Sequence, residues 1–149
     1  MYQKILVPID GSKLSNKAVT EASMIAKSAG AKVFLFHASH RPSQPIYTEG
    51  MSPSAAVNDS AESRRELEEH ARKLLAVGVA LAQSEGVVAE SEFKFSDKPF
   101  EAIIESADKH GCDLIAMSSH GHGALGGLLL GSETQKVLAN TRLPVLVVR

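Results

Sequence analysis

Residues 114–139 read LIAMSSHGHGALGGLLLGSETQKVLA, and the order of their parts decides the fold. Leu114-Ile115-Ala116-Met117 is a short apolar run of the kind that forms a buried strand. Ser118-Ser119-His120-Gly121 follows, then nine residues, then Gly131-Ser132. Ser132 to Asn140 has helical spacing. The segment is therefore strand, glycine-rich loop, helix N-terminus. Glycines let backbone N–H groups approach phosphate oxygens, and a helix N-terminus adds unpaired N–H groups with partial positive charge. The loop is not a Walker A loop, which needs Gly-Lys-Ser/Thr. It holds no lysine, so a phosphate there would meet backbone dipoles, hydroxyls, and His120 or His122.

The same alternation extends in both directions. Lys4 to Ile9 is an apolar β-rich run that ends in Asp10-Gly11-Ser12. Ser15 to Ala29 places Ala18, Val19, Ala22, Ile25, Ala26 and Ala29 on one helix face. Ser15 or Ser12 is its N-cap and Gly30 its C-cap. Ala31 to Ala38 is a second buried strand. Ser39 to Ser60, with Pro42, Pro45 and Pro53, reads as an irregular segment too long for a simple connection. Ala61 to Glu85 is helical, with Gly78 inside it at a cost of about 1 kcal/mol against alanine. Val87 to Phe95 is a strand whose second half alternates, which suits a sheet edge. Asp97 to His110 is a helix with Pro99 near its start, and Pro144 to Val148 is a fifth strand. The order βαβαβαβαβ predicts an α/β fold, a five-stranded mainly parallel sheet with helices on both faces. In such sheets ligands sit beyond the carboxyl ends of strands, where the strand order reverses. The loops after Ile9, Ala38 and Met117 are the candidates.

The chain's 149 residues fit one domain, 1–149. Apolar residues make up 44% and charged residues 22%, as in ordinary globular proteins. With 16 basic against 17 acidic residues the chain lacks the basic field that nucleic-acid backbones require. No run of 18 apolar residues appears, so no membrane span is expected. Cys112 is the single cysteine, read as a small buried or loop thiol in a reducing compartment. The N-terminal residues lack a signal-peptide layout, and the expected location is the cytoplasm.

Asp10, at the end of the first strand, has two readings. It caps its turn through Gly11 and Ser12, or it accepts hydrogen bonds from ribose hydroxyls or helps to hold a cation. Ser132 is read as the N-cap of the last helix, its hydroxyl also within reach of a phosphate. His120 and His122 flank Gly121 and lack a third ligand at persuasive spacing for zinc. His37 reads as a packed core histidine. No Gly-x-Ser-x-Gly elbow and no paired carboxylates stand out, so no catalytic residues are assigned.

Three stretches in the right order resemble the universal stress protein family. They are Ile5 to Ser12, Cys112 to Gly121, and Leu129 to Ser132 followed by Val137-Leu138 and Pro144 to Val148. The resemblance covers essentially the whole chain. It implies a Rossmann-like fold of the adenine nucleotide alpha hydrolase type and an ATP-binding stress-response sensor or regulator. A nucleotide-independent dimeric module of the same fold and a slow ATPase are the alternatives. The ligand it implies is ATP, or ADP or AMP, with or without Mg²⁺. It places Pro8, Ile9, Asp10 and Ala38 along the adenosine pocket, and Met117 and Ser118 against base and ribose. His120, Gly121, Gly131, Ser132 and Glu133 then surround the phosphates, Glu133 through its backbone N–H, because its carboxylate would repel phosphate unless it points away. It also implies a homodimer through Val145–Val148. Nucleotide-binding members carry Gly, two residues, Gly, nine residues, Gly, then Ser or Thr, and here Ser118 stands at the first glycine position. If that position needs positive φ, a side chain costs about 1–2 kcal/mol. If the glycine only makes room for ribose, Ser118 crowds it or offers a hydroxyl.

Overall fold

The computed structural model describes residues 1–42, 53–121 and 129–149, excluding the side chains of 53–60. Among the described residues nine elements alternate along the chain: β1 (Lys4–Pro8), α1 (Lys13–Ala29), β2 (Lys32–Ser39), α2 (Pro53–Ser84), β3 (Ala89–Phe95), α3 (Pro99–Lys109), β4 (Leu114–Ser118), α4 (Ser132–Asn140) and β5 (Val145–Val148). The strands form one sheet in the order β3-β2-β1-β4-β5, and every pairing is parallel. Ile5 sits between Val33 of β2 and Leu114 of β4. β3 lies at one edge, as its alternating pattern predicted, and β5 at the other.

Because side chains alternate across a strand, the sheet divides the core in two. Ile5, Val7, Val33, Leu35 and Ala116 face α1 and α2, packing on Ala18, Val19, Ala22 and Leu75. Leu6, Phe34, Phe36, Ile115 and Met117 face α3 and α4, packing on Ala102, Ile103 and Val137. Helices on both faces explain why the central strands are continuously apolar. Ile5, Leu6 and Val7 are all fully buried.

Local chemistry sets the helix ends. Ser12 is the N-cap of α1: the Ser15 N–H donates to Ser12 Oγ at 3.1 Å. Ser15 is buried instead, and its hydroxyl donates to Ser12 O at 3.0 Å. Gly30 closes α1 in the left-handed conformation, φ 66°. α2 starts at Pro53, so the irregular segment expected over 39–60 is shorter than its prolines suggested. Proline at a first helical position gives up an N–H that would have no intrahelical partner. Residues 43–52 lie outside the described residues. Ser132 does not cap α4. Gly131 occupies the cap position, without a side-chain bond, and Ser132 is the first helical residue. The Gly131 N–H instead donates to Ser119 O at 2.6 Å, pulling the cap one residue toward β4.

Cys112 is 5% exposed within the α3 and α4 side of the core. Burial pushes its thiol up to about 11, so thiolate chemistry is suppressed there.

Candidate functional site

The strand order reverses between β1 and β4: the chain moves outward from β1 through β2 to β3, then returns to the far side of β1 as β4. Their carboxyl ends diverge there and leave a cleft of about 760 Å³. All eleven residues singled out from the sequence border this one cleft. Pro8, Ile9 and Asp10 come from the end of β1, Ala38 from β2, and Met117 and Ser118 from β4. His120 and Gly121 follow β4, and Gly131, Ser132 and Glu133 open α4. His122, Gly126 and Gly127 lie outside the described residues.

Asp10 takes the turn-closing one of its two readings. Its Oδ1 accepts from the Ser12 N–H at 2.9 Å, closing the turn. Its Oδ2 lies so close to Gly121 that a Cβ on Gly121 would collide with it. Gly121 is therefore a matter of space: only a residue without a side chain lets the post-β4 loop pass against the carboxylate at the end of β1.

The opposite wall is drawn in by two hydrogen bonds to the end of β4. The Gly131 N–H reaches Ser119 O, and Thr134 Oγ1 donates to Ser118 O at 3.0 Å. The first N–H within α4 to reach back to the cap is that of Gln135, bonded to Gly131 O at 3.0 Å. The N–H groups of Ser132, Glu133 and Thr134 precede it and belong to the helix end that attracts anions. Ser118 is 8% exposed and lies in strand conformation. Among the described residues only glycines have positive φ, so the serine costs no backbone strain.

The Glu133 side chain reaches toward α3 while the residue still lines the cleft. Its Oε2 accepts from the Phe100 N–H at 2.9 Å and its Oε1 from Lys136 Nζ at 3.0 Å. α3 needs that acceptor, because its own N-cap, Lys98, makes no side-chain capping bond.

His37 is the core histidine that the sequence suggested. Its Nδ1–H donates to Ile9 O at 2.7 Å and its Nε2 accepts from Ser39 Oγ at 3.2 Å. The ring stacks near Phe93. It thereby ties the end of β2 to the end of β1, one residue from Asp10. Burial holds its pKa below the ordinary value, with the Ile9 hydrogen bond and Asp10 opposing and His70 adding to the effect. The unfolded chain thus binds a proton at this position more readily than the folded one. Stability contributed by neutral His37 is full above pH about 6.5 and falls as pH drops from there toward the lowered native value. Urea midpoints measured between pH about 7.5 and 5.5 are expected to decline less in His37→Gln than in the natural protein.

Phe36, Pro99, Ile103, Thr134 and His40 also border the cleft and were not assigned from the sequence. Phe36 was recognised as apolar strand and Ile103 as helix face. Only the packing of α3 beneath the α4 terminus turns them into floor and wall.

A doubly wound parallel sheet with its cleft at the strand-order reversal, rimmed by glycines and a helix N-terminus, defines the class of protein. Comparison with known proteins specifies it further. The universal stress protein family model matches residues 1–149. A universal stress protein of Thermus aquaticus is 34% identical over the full length of both chains. The solved structure of MJ0577 superposes with a TM-score of 0.82 at 27% identity, covering 99% of this chain and 96% of that one; that protein is from Methanocaldococcus jannaschii. A universal stress protein solved in complex with cAMP has a TM-score of 0.70 at 26% identity, with 99% and 97% covered. The chain belongs to the universal stress protein family.

Proposed function

We propose that this protein binds an adenine nucleotide in the cleft and acts as a stress-response sensor or regulator in the cytoplasm, with residues 1–149 folding as one domain. The observation that carries the reading is the close passage of Gly121 over Asp10, with the α4 N-terminus facing it across the strand-order reversal. It puts a carboxylate suited to ribose hydroxyls beside amides suited to phosphate. Pro8, Ile9, Ala38 and Met117 supply an apolar slot for a base. The relative in complex with cAMP supports an adenine ligand of this general kind. In this reading Ser118 lies against the ribose, His120 donates to phosphate, and Gly131, Ser132 and Glu133 present backbone to it. ATP is the ligand first tested, with ADP and AMP beside it and Mg²⁺ present or absent. β5 lies at the sheet edge, so Val145–Val148 can pair with a second copy.

Calorimetric titration decides the reading. Saturable binding of at least one of ATP, ADP and AMP is expected in the micromolar range. No heat of binding with any of them at millimolar concentration, with or without Mg²⁺, would overturn it.

A further inference from the structure

The cleft meets a phosphate with backbone dipoles and imidazoles rather than with cationic side chains. Its described lining includes two carboxylates, Asp10 and Glu133, and three imidazoles, but no lysine or arginine. The loop residues cannot supply one, since the sequence from Gly111 to Gln135 contains neither. A helix N-terminus carries about half a positive charge, so a full carboxylate in its first turn more than offsets it. Glu133 occupies that turn of α4. It is also held in place: the Phe100 N–H fixes one oxygen and Lys136 Nζ the other. The Phe100 bond uses the α3 terminus that could otherwise have faced a ligand. The Lys136 ammonium lies on the solvent side, half exposed, where water and salt screen it.

We infer that Glu133 acts as a charge filter, making the cleft select adenine nucleotides of low net charge, mono- or cyclic monophosphates, over metal-free triphosphate. The inference rests on the nucleotide reading above and specifies its ligand class. Each added phosphate brings more negative charge toward a rim that holds a fixed carboxylate and no cationic side chain of its own. The penalty therefore grows with chain length, and a divalent cation carried in with the polyphosphate relieves it.

The test is calorimetric titration of AMP and ATP in EDTA, and of ATP with excess Mg²⁺, into the natural protein, E133Q and K136Q. Glutamine at 133 keeps an oxygen for the Phe100 N–H but gives up a carboxylate at two helix N-termini, so its unfolding midpoint should fall by a few degrees at most; K136Q removes only an exposed ion pair and its midpoint should hardly move. In the natural protein AMP is expected to bind about tenfold more tightly than metal-free ATP, with Mg²⁺ closing much of the gap. E133Q should tighten metal-free ATP about tenfold and AMP no more than about threefold, while K136Q should weaken metal-free ATP. Metal-free ATP binding as tightly as AMP, or E133Q shifting both ligands equally, would overturn the charge filter and leave the nucleotide reading standing. Absence of binding by every nucleotide in every protein would remove both.

Discussion

Gly121→Val is expected to weaken adenine-nucleotide binding by about 10- to 100-fold while leaving the fold intact. The valine Cβ would fall on Asp10 Oδ2, and Asp10 is not free to yield, because Oδ1 is engaged by the Ser12 N–H at 2.9 Å. Either the carboxylate rotates out of its turn or the loop after β4 lifts away from β1. In the proposed reading both outcomes separate the group meant for ribose from the amides meant for phosphate. Losing one hydrogen bond to a charged group costs about 1.5–3 kcal/mol, which sets the expected range. Gly121 is itself exposed at the sheet's edge of the cleft, so thermal stability should change by less than about 1 kcal/mol. Parallel calorimetry and melting of Gly121→Ala and Gly121→Val would check both halves, alanine giving the smaller loss of affinity. Affinity unchanged in the valine variant would mean that Asp10 and Gly121 do not form the binding edge.

Gly78→Leu is expected to have the largest effect on stability, about 1–3 kcal/mol of destabilisation. By helix propensity alone, replacing this mid-helix glycine should stabilise, by about 1 kcal/mol for alanine. The packing reverses that expectation. A Cβ at 78 would lie 2.9 Å from Leu35 Cδ1 and 3.0 Å from Ile9 Cδ1. Leu35 is fully buried within the core, and Ile9 can yield only toward the cleft it lines. Gly78 is where α2 comes down onto the sheet, and a leucine there must push the helix outward. For a chain of this size each kcal/mol lowers the melting temperature by roughly 2–4 °C. Gly78→Ala, with the propensity gain set against one crowded methyl, should fall near neutral. Because Ile9 borders the cleft beside Asp10, Gly78→Leu should also weaken nucleotide binding. Thermal melts with and without ATP would separate the two effects, and a leucine variant as stable as the natural protein would show that α2 is not seated at this glycine.

The two glycines mark the boundary between local and tertiary information in this chain. Gly121 was legible as part of a phosphate-type loop through its spacing to Gly131. Its reason for being glycine was not, because that reason is an aspartate 111 residues away in sequence. Gly78 looked like a local defect in a helix, since propensity has no term for a neighbouring sheet. Glu133 shows the same limit. Its type warned of repulsion toward phosphate, but the N–H that holds its carboxylate belongs to Phe100, on another helix. Ser132 fits the role of a cap locally, as a Gly-Ser helix start does, yet it is the first helical residue. Gly131, whose N–H is bonded to Ser119 O just past β4, takes the cap position instead.

The sequence alone determined the element order and the parallel α/β architecture, together with the strand ends and loops from which a site is built. Those features rest on hydrophobic period, turn residues and helix ends, all of which act over a few neighbouring positions. Only the tertiary structure decided that β1 lies between β2 and β4. That placement opens the cleft, sets Gly121 against Asp10, puts α3 beneath the α4 terminus and turns the Glu133 carboxylate onto Phe100. These are contacts between distant segments, fixed by which faces of the sheet the helices bury, and no local pattern encodes them.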